Sequence, residues 1–243
     1  MATFGRPATT CPQANTLCRR CDRSGAFLGF VVMEFLHGRT WEEEDDPRYD
    51  NDVVQAIYYM HSRGAEIVGQ HVPPGPIDRR PAEDSPWGNK EAESVFTTVQ
   101  HLADCASRRL RLHARRRRPR RVHCQQNSTT EDLLELKGQR LSFCHMDLIP
   151  RNIPILDNEQ IAIVDWEMLC LYPVVFELAR LFDLETASTD AKVGFLLHNL
   201  VSGYEGNEDE QNGDRAAVLD MVKKLCIVNQ ESTRHYFLRR CNL

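Results

Sequence analysis

The chain has 243 residues, 42% hydrophobic and 27% charged, the balance of a soluble globular protein that can bury its own core. Its longest uncharged apolar stretches, Gly25–Met33 and Met168–Phe176, run nine residues each. A membrane-spanning helix needs about 20, so none is expected. The net charge of −5 hides an asymmetry: residues 108–123 hold nine arginines and no acid, which leaves −14 for the rest.

The first 25 residues mix Pro, Thr, Cys and Arg without a period and read as coil. Ala26–Leu36 (AFLGFVVMEFL) is rich in β-branched and aromatic residues and predicts a buried strand. An acidic loop follows to Asp50. Asp52–Ser62 carries Val53, Val54, Ile57, Tyr58 and His61 at helical spacing, with Gly64 as its stop. Five prolines in 71–88 exclude a regular element there. The spacing over Lys90–Leu112 predicts a second amphipathic helix, ended by the arginine run. A short helix over Thr130–Lys137 leads to a strand, Arg140–Cys144. Two short apolar runs, Ile153–Leu156 and Ile161–Val164, flank Asp157-Asn158 and predict a hairpin. Helices are expected over Val174–Leu184, Asp190–Tyr204, Arg215–Val228 and Glu231–Arg240. The layout is α+β with a mostly helical C-terminal part.

One segment, FCHMDLIPRNIPILDNEQIAIVDWE from Phe143 to Glu167, carries chemistry. It holds His145-x-Asp147-x₄-Asn152, then the hairpin, then Asp165 thirteen residues after Asn152. The physical logic of this combination is that of phosphoryl transfer. A nucleoside triphosphate is neutralised by Mg²⁺, which takes hard oxygen ligands such as Asn152 and Asp165. A further carboxylate, Asp147, orients the acceptor hydroxyl and takes its proton. Each residue alone reads as a turn or cap; the conjunction points to a kinase-like site.

The motifs HMDLIPRN (145–152), IAIVDWE (161–167) with YPVVFELARL (172–181), and VVMEFLHGRTW (31–41) resemble those of the aminoglycoside phosphotransferase and choline kinase family, and its fungal sequences in particular. The resemblance spans about residues 24–204. It implies a protein-kinase-like α+β fold, with a helical C-terminal lobe and a catalytic β-hairpin. It also implies ATP and Mg²⁺ as cofactors, and a hydroxyl of a small molecule as acceptor. Residue by residue, Asp147 becomes the catalytic base, Asn152 and Asp165 the magnesium ligands, and His145 a structural loop residue. Met33, Glu34 and Phe35 fall on the interlobe hinge that binds the adenine edge. Glu177 stands where many relatives have Asp, in a structural role.

Only 30 residues precede Val31, and the first lysine is Lys90. The resemblance therefore implies residues 1–36 as a remnant of the N-terminal lobe, ending in the hinge strand. Residues 37–243 form the helical C-terminal lobe, with a disordered insert at about 108–130. Without the glycine-containing phosphate loop and the lysine clamp, a kinase-like binding protein impaired in catalysis is the alternative to an active enzyme.

The weaker signals read as structure. The arginine run lacks interleaved aromatics for base stacking, so a solvated loop is expected and nucleic acid is not an expected partner. Cys11, Cys18 and Cys21 include one C-x₂-C without a second pair, short of a zinc site. Nine cysteines beside an N-terminus with no apolar signal core point to free thiols and a cytoplasmic setting. Trp166, Glu167 and Tyr172 either face the acceptor or pack against the next helix.

Overall fold

The computed structural model describes residues 14–21, 27–33, 35–68, 72–77, 95–117, 134–136, 138–187, 190–203 and 217–226. The chain divides into two compact units, Met1–Ala56 with Leu148–Trp166, and Ile57–Asp147 with Glu167–Leu243.

In the first unit, β1 (Ala14–Cys21) pairs antiparallel with β2 (Phe27–Met33), from Cys21 opposite Phe27 to Ala14 opposite Met33. The predicted strand is thus present. Coil was expected for the residues before it, but 14–21 are a strand. The Val-rich β2 supplies the ladder that ANTLCRRC, with its paired arginines, does not advertise. A second pair joins β3 (Gly38–Thr40) to β6 (Pro154–Leu156). Gly38 is required there. Its φ is +157°, and a Cβ would stand 2.2 Å from the Ile155 carbonyl oxygen.

A one-turn 3₁₀ helix, Trp41–Glu43, follows β3 within the stretch expected to be loop. Trp41 is fully buried. Its backbone N–H donates to the Ile153 carbonyl at 2.8 Å and its indole N–H to the Asp50 carboxylate at 2.8 Å, which satisfies both donors. The predicted hairpin forms beyond β6. Leu156 N–H donates to Gln160 O at 2.9 Å, Ala162 N–H to Pro154 O at 2.9 Å, and Ile155 bridges Ile161.

Helix α1 spans Arg48–Val68, longer than expected at both ends. Its start is set by Asp46, whose carboxylate accepts the Arg48 N–H at 3.1 Å, with Pro47 at the entry. Gly64 does not stop it. In the second unit an added Cβ there would lie 2.3 Å from the Phe143 backbone nitrogen, so this glycine marks a close helix–strand approach. Gly64→Ala should therefore cost about 1–3 kcal/mol by overpacking, where helix propensity alone would give a gain of about 1 kcal/mol. Urea denaturation reads the sign directly.

The second unit holds a three-stranded antiparallel sheet in the order β4 (Gly75–Pro76), β7 (Cys170–Pro173), β5 (Leu141–Cys144). β7 was read only as part of an apolar run. All four of its residues are buried, so it lacks the alternation that marks a strand. Helix α2 runs Val99–Arg117. Residues 95–98, expected within it, are not helical, and 90–94 lie outside the described residues. The helix continues past Leu112 to Arg117, so 108–117 are helix and not part of a disordered insert. Buried Leu102, Ala106 and Leu110 keep one face on the core. Ser107 Oγ accepts the Leu134 N–H at 2.9 Å. Leu134–Leu136, expected as part of a short helix, are not helical.

Helices α3 (Val175–Ala187) and α4 (Ala191–Gly203) pack together, and 217–226 is a further helix. The expected helix over Glu231–Arg240 and most of the expected insert lie outside the described residues. Tyr58 on α1 donates its hydroxyl to the Asn199 carbonyl of α4 at 2.7 Å, and burial raises its pKa. No described helix is long and apolar enough to cross a membrane.

Candidate active site

Asp147 belongs to the second unit and lies on the loop that leaves β5. The loop is held from beneath by α3. Glu177, fully buried, accepts the His145 N–H through Oε2 and the Met146 N–H through Oε1, the latter at 2.9 Å. A carboxylate accepting two backbone N–H groups satisfies donors that no ladder reaches. Three residues along α3, on the same face, Arg180 donates Nε–H to the Met146 carbonyl at 3.2 Å. Its Nη2 lies 3.6 Å from Asp147 Oδ1.

Between these contacts Met146 takes φ 65°, a left-handed conformation that a non-glycine residue rarely adopts. Its cost is of order 1–2 kcal/mol, offset by the contacts that α3 makes on both sides of the peptide. Backbone held this way clusters at functional loops. His145 is completely buried and accepts the Asp147 N–H on Nδ1 at 3.3 Å.

Behind the loop, buried His61 on α1 places Nε2 3.9 Å from Glu177 Oε2, and its carbonyl accepts the Ser142 hydroxyl. His61 is therefore a core histidine. Cys144 and Cys170 face each other across β5 and β7, and both are buried free thiols. Burial first, then the negative charge of Glu177, pushes the Cys144 thiol well above its ordinary range, so it stays protonated. Tyr172 is buried and stacks on Phe176 at 4.8 Å. That is the packing reading rather than a substrate-facing one.

Asn152 and Asp165 belong to the first unit. Asn152 is buried at the end of a 3₁₀ turn, Pro150–Asn152, whose entry fixes Pro150 at the first helical position. Its carbonyl accepts the Val164 N–H at 3.0 Å, which ties it to the residue just before Asp165. Asp165 is exposed and has φ 66°. Aspartate tolerates this region better than most side chains, and the kink carries the chain from the hairpin into the turn Trp166–Met168. Trp166 donates its indole N–H to the Ile163 carbonyl at 2.7 Å, which closes that turn. An amide oxygen and a carboxylate on one such ribbon are the hard donors that a divalent cation takes.

Of the expected hinge residues, Met33 ends β2, Glu34 lies outside the described residues, and Phe35 is 76% exposed with its ring edge-on to His37 at 4.8 Å. Cys11 also lies outside them, while Cys18 and Cys21 fall on β1. Among the described residues no group of three His, Cys, Asp or Glu side chains forms a metal cluster. Sequence reading noticed Glu177 only as a departure from its relatives and gave Arg180 no role. The signal for both was the i, i+3 pair in FELAR, one helical turn from each other on a segment following the motif.

The family model described as the phosphotransferase enzyme family matches residues 3–217. No curated protein matches the chain. Two solved structures are similar at low identity. An aminoglycoside phosphotransferase from Alicyclobacillus acidocaldarius is 13% identical with TM-score 0.32, the match covering 93% of this chain and 75% of that one. LicA in complex with AMP is 15% identical with TM-score 0.34, the match covering 88% of this chain and 64% of that one. Family membership rests on the extent of the model match rather than on these two. The α+β chain, mostly helical in its second unit, with the H-x-D-x₄-N loop, the ribbon and its aspartate all inside the matched span, belongs to the phosphotransferase enzyme family.

Proposed function

We propose that the protein is an ATP- and magnesium-dependent phosphotransferase that moves the γ-phosphate to a hydroxyl of a small molecule. Asp147 accepts the proton of the attacking hydroxyl. The acceptor oxygen bonds to Pγ, the bond from Pγ to the β,γ-bridging oxygen breaks, and ADP leaves. Asn152 and Asp165 hold the cation through oxygen. Magnesium, when bound, neutralises charge on the β- and γ-phosphate oxygens. By the resemblance, the positions Met33, Glu34 and Phe35 take the adenine edge.

The observation that carries this reading is the Val164–Asn152 hydrogen bond, which keeps two hard oxygen donors on one ribbon within the family-matched span. Mg·ATP at millimolar concentration should raise the melting temperature. A ligand at 100 times its Kd adds about 2.7 kcal/mol, which is several degrees for a chain of this size. Asp165→Asn should remove the part of the shift that disappears with EDTA. A wild-type protein whose melting is unmoved by Mg·ATP sinks the proposal.

A further inference from the structure

We infer that Arg180 is a positioning residue for the phosphoryl-transfer step, holding the carboxylate of Asp147 and the left-handed peptide before it in one arrangement. This rests on the proposed role of Asp147 as base. Glu177 and Arg180 leave α3 one turn apart and grip opposite polarities of the same loop. Glu177 takes the N–H groups of His145 and Met146, while Arg180 takes the Met146 carbonyl. Arg180 also reaches the Asp147 carboxylate, at 3.6 Å, which Glu177 does not do through these contacts.

Two nitrogens of one rigid guanidinium make these contacts. The distance from the Met146 carbonyl to Asp147 Oδ1 is thereby coupled to the planar fork of the side chain. The carbonyl matters because Met146 sits at φ 65°, and a peptide in that region rotates back readily when its oxygen loses its partner. Rotation there would carry the next residue, Asp147, with it. Arg180 is a quarter exposed and Asp147 about a fifth, so both lie partly open to solvent. Glu177, completely buried, secures the fold of the loop; Arg180, at its open side, sets the aim of the base.

The test uses the full chain with Mg·ATP and water as acceptor, read as ADP release, beside the Mg·ATP melting shift. In Arg180→Gln, kcat should fall by about 10- to 100-fold, the scale of a misplaced reacting group. Its melting temperature without ligand and its Mg·ATP shift should stay near wild type. Arg180→Lys, which offers a charge but no fork, should recover part of kcat and not all. Equal kcat in wild type and Arg180→Gln, with Asp147→Asn inactive, overturns the inference and leaves the base assignment standing. Equal kcat in wild type and Asp147→Asn overturns both. Loss of folding or of the Mg·ATP shift in both Arg180 variants assigns the residue to structure and also overturns the inference.

Discussion

Glu177→Ala should lower the stability of the second unit by about 3–5 kcal/mol. The carboxylate is fully buried and accepts two backbone N–H groups, those of His145 and Met146. Alanine leaves both donors without an acceptor in a space closed to water, at about 1–3 kcal/mol each, and adds a cavity. Glu177→Gln is not a mild change either. Its amide presents one oxygen and one NH₂ where two N–H donors point, so one donor faces another. Urea denaturation at neutral pH should show a lower midpoint for both variants, with alanine at least as low as glutamine. Midpoints unchanged from wild type would show that the loop does not depend on α3.

How much of this was legible beforehand depends on the range of the interaction responsible. The hairpin over 153–164 and the helices α3, α4 and 217–226 were visible because their signals are local: turn chemistry at Asp157-Asn158, and apolar spacing along each helix. β1 was not, because a strand with adjacent arginines is stabilised by pairing with a strand that begins six residues after it ends, and not by its own pattern. β7 was hidden by its uniform burial. Gly64 shows the same limit from the other side. Its sequence meaning is a helix stop, while its meaning in the fold is the 2.3 Å that separates a would-be Cβ from the Phe143 nitrogen. The arginines of α2 stay helical because Leu102, Ala106 and Leu110 anchor the turns before and among them. Packing of this kind overrides mutual repulsion worth only a few tenths of a kcal/mol per pair.

The candidate site divides along the same line. Asp147, Asn152 and Asp165 could be named from residue type and spacing alone. The left-handed backbone at Met146 and Asp165 could not, since nothing in a methionine advertises φ 65°. Nor could the grip of α3 on the loop, whose partners are more than 30 residues apart in the chain. A motif therefore nominates the groups, and contacts across the second unit show what holds the loop that carries Asp147.

Asp147→Asn should lower turnover by about 10²–10⁴ while sparing nucleotide binding. The amide keeps nearly the shape of the carboxylate and leaves an oxygen for the neighbouring Arg180, so the loop held by Glu177 has no reason to move. It cannot accept the proton of the attacking hydroxyl, and general-base assistance contributes about 10²–10⁴ in rate. ADP release should fall by that factor, in kcat and not in KM for Mg·ATP, because in the proposed division of labour the cation is held by Asn152 and Asp165. The melting shift with Mg·ATP should be the same in Asp147→Asn as in wild type, in contrast to its loss in Asp165→Asn. These two aspartates are the same residue type, so opposite responses to the same substitution separate base from ligand. If Asp147→Asn lost the shift and kept its turnover, the two roles would have to be exchanged.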